Sequence, residues 1–274
     1  PVVSLIWDPL EQQVQYGKLD FIRWAHYSIH SYFYNILRLS KYCIVMSDEM
    51  GTAYQPYTNP VTIRSGIPDE FLPSRKTSRK TRVERDYYQV GFAGSLYGVD
   101  SFRAFIKALD AEKWVVNEHP VQFVAIGTSV LPVHMRAPKP AEIIWLGRHS
   151  QLETISILSE CDVLYLPYPM DAKHKKTVTT SFPTKMSTYV AANVPIFYHG
   201  PSESTVASFI KKHPVALLCS TLDTTDILKV MTELLTNVEL RDSIKVTQCQ
   251  VFDEHFSFHQ FKSKIISTLE LAIS

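Results

Sequence analysis

Ser181-Phe182-Pro183-Thr184-Lys185-Met186-Ser187-Thr188-Tyr189-Val190-Ala191-Ala192-Asn193-Val194-Pro195-Ile196 reads as a capped helix that passes through a one-residue turn into a strand. Ser181 is a cap residue, Pro183 suits the first turn, and Met186, Val190 and the Ala191-Ala192 pair make a narrow apolar face, so the spacing predicts a helix over 182–192. A narrow face lets a helix lie close to a sheet. Free N–H donors and a partial positive charge at its start make it a candidate anion site.

Outward from this unit the pattern repeats. Apolar runs without alternation at 90–94, 121–127, 143–147, 163–167, 195–198 and 215–218 are separated by helix-patterned segments at 101–112, 150–160, 182–192, 202–212 and 222–236. Strands that alternate with helices imply right-handed crossovers and a parallel sheet, and unbroken apolar strands imply burial on both faces. The expectation is a doubly wound α/β domain. From about residue 239 to residue 273 the periodicity is helical.

Before that domain, 2–7, 42–47 and 61–68 read as three further strands. Residues 20–40 carry aromatic and aliphatic side chains at helical spacing, Phe21, Trp24, Tyr32, Ile36 and Leu39 among them. A domain seldom begins on a central strand, so the chain is expected to open partway through a domain. Residues 73–86 hold six Lys or Arg and almost no apolar side chain. They read as a solvated interdomain linker, with a phosphate or membrane contact as the alternative. The expected division is a partial Rossmann-like domain over 1–72, the linker over 73–86, a doubly wound domain over 87–254, and a C-terminal helix over 255–274 that packs back toward the first domain.

Composition excludes several function classes. Twenty-eight basic against 27 acidic residues leave a formal charge of +1, so nothing in the balance points to nucleic acid. Cys43, Cys161, Cys219 and Cys249 lie far apart and mostly in apolar runs, which suits reduced, buried thiols better than disulfides or a metal site. The expected compartment is the cytoplasm, with peripheral contact to the inner face of a membrane left open. The segment 91–95 lacks the G-x-G-x-x-G spacing, and no Walker A, H-E-x-x-H, paired C-x-x-C or G-x-S-x-G motif occurs. His26 and His30, four apart, read either as half a metal site or as packing residues. No metal and no cofactor are expected.

In an open parallel sheet a ligand lies at the carboxyl ends of the strands. Those ends carry Gly94-Ser95, Gly127-Thr128, Gly147-Arg148-His149 and Pro167-Tyr168-Pro169, where glycine lets a ligand approach the backbone.

The runs at 90–96, 143–147, 159–167 and 181–195 together resemble the donor-binding domain of GT-B-fold glycosyltransferases, in the retaining group of bacterial cell-surface sugar transferases. Residues 43–48 and 61–68, with Gly66, are similar to the end of such an enzyme's N-terminal domain. The resemblance implies a nucleotide-sugar donor, transfer to a saccharide or lipid-linked hydroxyl acceptor with anomeric retention, and no bound metal. It implies donor contacts at Gly94, Ser95, Gly127, Arg148, His149, Ser181, Phe182, Lys185 and Thr188, with Asp8 on the acceptor side.

Three departures bear on that expectation. Thr180 and Thr188 stand where many relatives carry a pair of glutamates. The usual Arg and Lys are absent from 95–100, which leaves Lys185 and Lys173-His174-Lys175-Lys176 as the available cations. Each has a plainer reading, as a surface helix lysine and a solvated loop, and Asp8 before Pro9 also fits a turn cap. The opposing expectation is a noncatalytic GT-B-like binding or assembly module. A sugar-nucleotide epimerase of the same fold is a third reading, for which the cleft offers no clear ionisable set. Weak or absent activity is expected of this chain alone.

Overall fold

The structure is a computed structural model that describes residues 1–10, 23–73, 85–127, 137–139 and 141–274, with 23–27 described by backbone only. β1 (Val3–Ile6), α1 (Arg23–Leu39), β2 (Tyr42–Val45), α2 (Asp48–Tyr54) and β3 (Asn59–Thr62) form the first unit. Its strands run parallel in the order β1-β2-β3, with Leu5 opposite Ile44 and Ile44 opposite Val61. Ser47 starts α2 by accepting a hydrogen bond from Met50 N at 3.0 Å. Leu37, Cys43, Val45, Met50 and Tyr54 make the small core beneath.

The second unit follows the order β4 (Tyr88–Ala93), α3 (Val99–Ala111), β5 (Val115–Val116), β6 (His119–Ile126), β7 (Glu142–Gly147), α4 (Gln151–Ser159), β8 (Val163–Pro167), α5 (Lys175–Val178), α6 (Lys185–Ala192), β9 (Ile196–His199), α7 (Thr205–Lys212), β10 (Ala216–Cys219), α8 (Thr224–Thr236) and α9 (Val238–Val251). Its parallel strands lie in the order β10-β9-β8-β4-β6-β7, and β5 pairs antiparallel with the start of β6. The chain enters at the sheet's middle, winds outward to β7, returns beside β4 as β8, and winds outward the other way. The direction of winding therefore reverses between β4 and β8, which opens a crevice at their carboxyl ends.

Each face of this sheet has its own core. Met186, Tyr189, Val190, Ile155 and Leu158 cover one, and Phe102, Phe105, Phe123, Phe197, Met231 and Leu234 the other. Each such side chain contributes about 1.5–3 kcal/mol on burial. Phe105 and Tyr165 stack at 4.2 Å between centroids. α6 ends on Asn193 at φ +55, the left-handed cap that Asn tolerates, and this makes the sharp turn into β9. After a π-helical turn over Phe252–Phe256, α10 (Phe258–Ile273) runs back against the first unit. Ile67 N donates to Phe256 O at 2.7 Å, Phe258 N to Ile67 O at 2.9 Å, and Lys41 Nζ to Ala272 O at 3.1 Å.

Several sequence expectations need correction. The strand read at 61–68 ends at Thr62, because Arg64, Ser65 and Gly66 turn toward the second unit. The single tail helix is two helices separated by the π turn. In α1, Tyr32, Ile36 and Leu39 point outward, whereas Leu37 is buried and Phe33 and Tyr34 pack on its core. β7 is half open: Trp145 and Leu146 are exposed, as suits a strand at the sheet's end. The basic linker expected over 73–86 falls almost wholly outside the described residues, as do Phe21 and the side chains of Trp24 and His26.

Candidate functional site

Gly94, Gly127 and Gly147 close their strands with φ of +86, +135 and +71. A Cβ on Gly127 would lie 2.9 Å from Gly94 O, so the two strand ends are stacked backbone on backbone. They form the floor of a cleft of about 600 Å3 walled by Arg148, His149, Thr184, Lys185, Ser187 and Thr188, with Trp7, Ser65 and Gly66 reaching in from the first unit. A second hollow of about 200 Å3 adjoins it, lined by Trp7, Asp8, Tyr97, Tyr168, Ser181 and Phe182. Trp7, Thr184 and Lys185 belong to both.

Lys185 stands at that junction. Its Nζ donates to Ser95 O and lies 4.4 Å from the centre of the Phe92 ring and 5.7 Å from that of Tyr97. Burial of the ammonium lowers its pKa to about 7. Among the described residues no carboxylate is paired with it, so the cation is held by a carbonyl and two ring faces and is available to an incoming anion.

The helix that carries Lys185 begins later than its sequence suggests. α6 starts at Lys185, and Thr184 at its cap makes no side-chain bond. Ser181 does not cap, because its groups are engaged elsewhere. Its hydroxyl lies 3.5 Å from Asp8 Oδ1, and its carbonyl accepts from Thr205 Oγ1 at 2.5 Å and Tyr168 OH at 3.2 Å. The helix start therefore falls at Lys185, beside the cleft, where Met186 N already donates to Pro183 O at 3.0 Å.

Asp8 follows β1 and is half-buried in the smaller hollow, where burial pushes its carboxyl pKa up against the opposing bond from Ser181. Phe182 is buried behind that hollow. Arg148 and His149 are exposed on the rim, with His149 Nε2 3.1 Å from Leu146 O and Nδ1 3.7 Å from Glu153. Ser95 contributes its carbonyl rather than its hydroxyl. Thr188 stands on the cleft wall, whereas Thr180 turns its hydroxyl to Lys176 O at 2.8 Å. The stretch Lys173–Lys176, read from sequence as a solvated loop, is instead a 3-10 turn over Ala172–His174 that runs into α5, with Lys173 3.5 Å from Asp171. His30 belongs to no metal-type group: none of three or more His, Cys, Asp or Glu is found among the described residues. The four cysteines are free thiols. No helix among the described residues is long and apolar enough to cross a membrane.

Contacts from the first unit fall on the segment leading into α6. Ser47 Oγ donates to Thr180 O at 2.5 Å, and Ser65 Oγ and Ser187 Oγ are 2.9 Å apart. Arg64, its side chain 9% exposed, sets its guanidinium 5.0 Å from the centres of both Phe182 and Phe209. The sequence singled out neither Arg64 nor Trp7 as a cleft residue. Arg64 lies in a run that reads as strand, and Trp7 reads as the end of one.

No family model matches the chain, and no curated protein matches it in sequence. Solved structures do. WaaG, a glycosyltransferase involved in lipopolysaccharide biosynthesis, is 14% identical and superposes with a TM-score of 0.64 over 96% of this chain and 74% of its own. Anabaena Alr3699/HepE in complex with UDP-glucose is 13% identical, with a TM-score of 0.69 over 98% of this chain and 72% of its own. Sucrose-phosphate synthase from Thermosynechococcus elongatus is 10% identical, with a TM-score of 0.67 over 99% and 68%. At such identities the likeness is one of fold, and the fold of this chain is the GT-B architecture of those glycosyltransferases.

Proposed function

We propose that the chain is a nucleotide-sugar-dependent glycosyltransferase that moves a sugar to a hydroxyl acceptor with retention, in the assembly of a surface polysaccharide or glycoconjugate. The observation that carries this reading is a cation with no carboxylate partner among the described residues at the junction of a large and a small hollow: Lys185, shared by both. A nucleoside fits the larger hollow, a single sugar the smaller, and the diphosphate between them falls at Lys185 and the first-turn N–H groups of α6. When the bond from the anomeric carbon to the diphosphate breaks, negative charge grows on the departing oxygen, and Lys185 stabilises it. Asp8, in the smaller hollow, takes the proton from the acceptor oxygen as that oxygen bonds to the sugar. The acceptor is a saccharide or a lipid-linked sugar, and the protein works in the cytoplasm or against the inner face of a membrane. That HepE is solved with UDP-glucose supports a donor of this class.

One observation favours a noncatalytic binding module: the Thr180 position offers the cleft no carboxylate, and its hydroxyl is bonded to backbone. The test is a thermal-shift panel of uridine, guanosine, adenosine and cytidine diphosphates and their sugar conjugates. A selective rise for one base, lost in Lys185→Ala, supports a donor site, and transfer from the matching sugar conjugate separates enzyme from module. No rise with any ligand, on folded protein, ends the donor reading.

A further inference from the structure

Arg64 has surroundings that the proposed chemistry does not use. It follows β3, and its Nη2 lies 3.5 Å from Asp48 Oδ2 on α2, so the first unit holds the guanidinium from behind. The guanidinium carbon reaches the second unit, where it lies 5.0 Å from the ring centres of both Phe182 and Phe209. Those rings meet edge to face at 5.3 Å, and Phe256 stacks on Phe182 at 6.3 Å. His213 and His255 complete the aromatic wall, with ring centres 4.8 Å apart. Arg64 Nε is buried with no hydrogen-bond partner among the described residues, and both ring nitrogens of His255 are likewise buried and unbonded.

A buried cation without full hydrogen bonding is costly unless something else holds it. Here the compensation is one carboxylate from its own unit and two aromatic faces from the other. A surface lysine would serve simple adhesion between units as well. A guanidinium set at equal distance from two rings that touch each other is held at two points rather than one. Of those rings Phe182 matters most to the cleft, since it lines the smaller hollow and lies three residues before Lys185.

We propose that Arg64 is a positioning residue: clamped between Asp48 and the Phe182–Phe209 pair, it fixes the segment 182–184 from which α6 starts, and so couples the contact between the two units to the shape of the anion site at Lys185. The role at the cleft rests on the donor reading above, whereas the clamp itself does not. Phe209 belongs to the clamp and not to either hollow's lining, and it touches the cleft residue Phe182 edge to face.

The experiment uses the full chain with Arg64→Met, Arg64→Lys and Phe209→Leu, and with Met50→Ala as a control that removes core packing in the first unit alone. Without ligand, amide hydrogen exchange at residues 187–192 is expected to speed up by about tenfold in Arg64→Met and Phe209→Leu, with Arg64→Lys intermediate and Met50→Ala unchanged there. With inorganic pyrophosphate as the probe, affinity is expected to fall by about tenfold in the same two variants and to hold in the control. Exchange at 187–192 no faster than in Met50→Ala overturns the clamp, whatever the ligand result. Faster exchange, in a protein whose wild type binds no pyrophosphate, upholds the clamp and removes the donor reading instead. If Arg64→Met does not fold, Phe209→Leu decides by the same criterion.

Discussion

Ser65 and Ser187, 122 positions apart in the chain, place their hydroxyl oxygens 2.9 Å from each other on the wall of the larger hollow. One belongs to the stretch after β3 and the other to the first turn of α6, so the cleft is not a property of either sheet alone. A neutral hydroxyl pair contributes only about 0.5–1.5 kcal/mol, and its oxygens retain lone pairs for a ligand. The contact joins the units while leaving the surface polar.

Lys185→Met is expected to weaken nucleoside diphosphate binding by about 10–100-fold, the equivalent of ~1.5–3 kcal/mol for a hydrogen bond to a charged group. The ligand-free protein is expected to melt no lower, because a partly desolvated ammonium gives way to a thioether of similar length. Titration calorimetry and thermal melts report the two effects separately. Unchanged affinity would remove Lys185 from the site.

The same lysine sets a pH dependence. Its pKa is about 7 in the free protein, and a bound diphosphate raises it, so binding takes up a proton at pH values above 7. Affinity is therefore expected to fall as pH climbs from 7 toward 9, and Lys185→Arg, always charged, is expected to flatten the slope. Calorimetry in buffers of different ionisation enthalpy measures the uptake directly. In the ligand-free protein the depressed pKa acts the other way: the unfolded chain binds more protons between pH 7 and 10.5, so this group's contribution to stability rises with pH across that window.

Gly127→Ala and Gly147→Ala separate strain from collision. At Gly147 an added methyl meets nothing within 4 Å, so only the φ of +71 is at stake, a cost of about 1–2 kcal/mol. At Gly127 φ is +135 and the methyl would meet Gly94 O at 2.9 Å, which adds a clash with backbone to strain of about 1–3 kcal/mol. Urea melts are expected to rank Gly127→Ala clearly lower. Equal losses would mean that the stacked strand ends are not rigid.

Acid is expected to loosen the aromatic wall. Burial, together with nearby Arg64, His213 and Lys264, lowers the His255 pKa to about 4, against the weaker opposing pull of Asp48. The unfolded chain, with an ordinary histidine near 6.5, binds more protons between pH 4 and 6.5, so stability falls as pH drops through that window. His255→Phe is expected to reduce that slope in pH-dependent melts, and an unchanged slope would place the acid sensitivity elsewhere.

Thr188→Glu tests how the nucleoside lies. If a ribose rests on the cleft wall at Thr188, the carboxylate is expected to tighten nucleoside diphosphate binding about 2–10-fold and leave inorganic pyrophosphate unimproved. Equal effects on both ligands would contradict this orientation.

The strands of the second sheet were legible because burial on two faces writes an unbroken apolar run, as in Val163-Leu164-Tyr165-Leu166. The glycines at the strand ends were legible for the same kind of reason, since positive φ admits few other residues. The start of α6 was not, because local chemistry made Ser181 a cap while its partners, Asp8 and Thr205, lie 173 and 24 positions away. The outward face of α1 and the half-open β7 escaped too, since periodicity shows an apolar face without showing what covers it. Arg64 carried no signal, because a cation taken up by distant rings has no local pattern.

The floor made by Gly94 and Gly127 has a consequence for altering what the cleft accepts. Where a surface is built from peptide groups, no substitution can retune it without moving the strands themselves. Selectivity has to be written in the walls, at Thr188, Arg148, His149, Gln151 and Thr154, each of which lines the hollow from α6, from α4 or from the loop before α4. A library confined to those five positions would explore different bases over an unchanged floor, and broader randomisation would spend most of its members on misfolded protein.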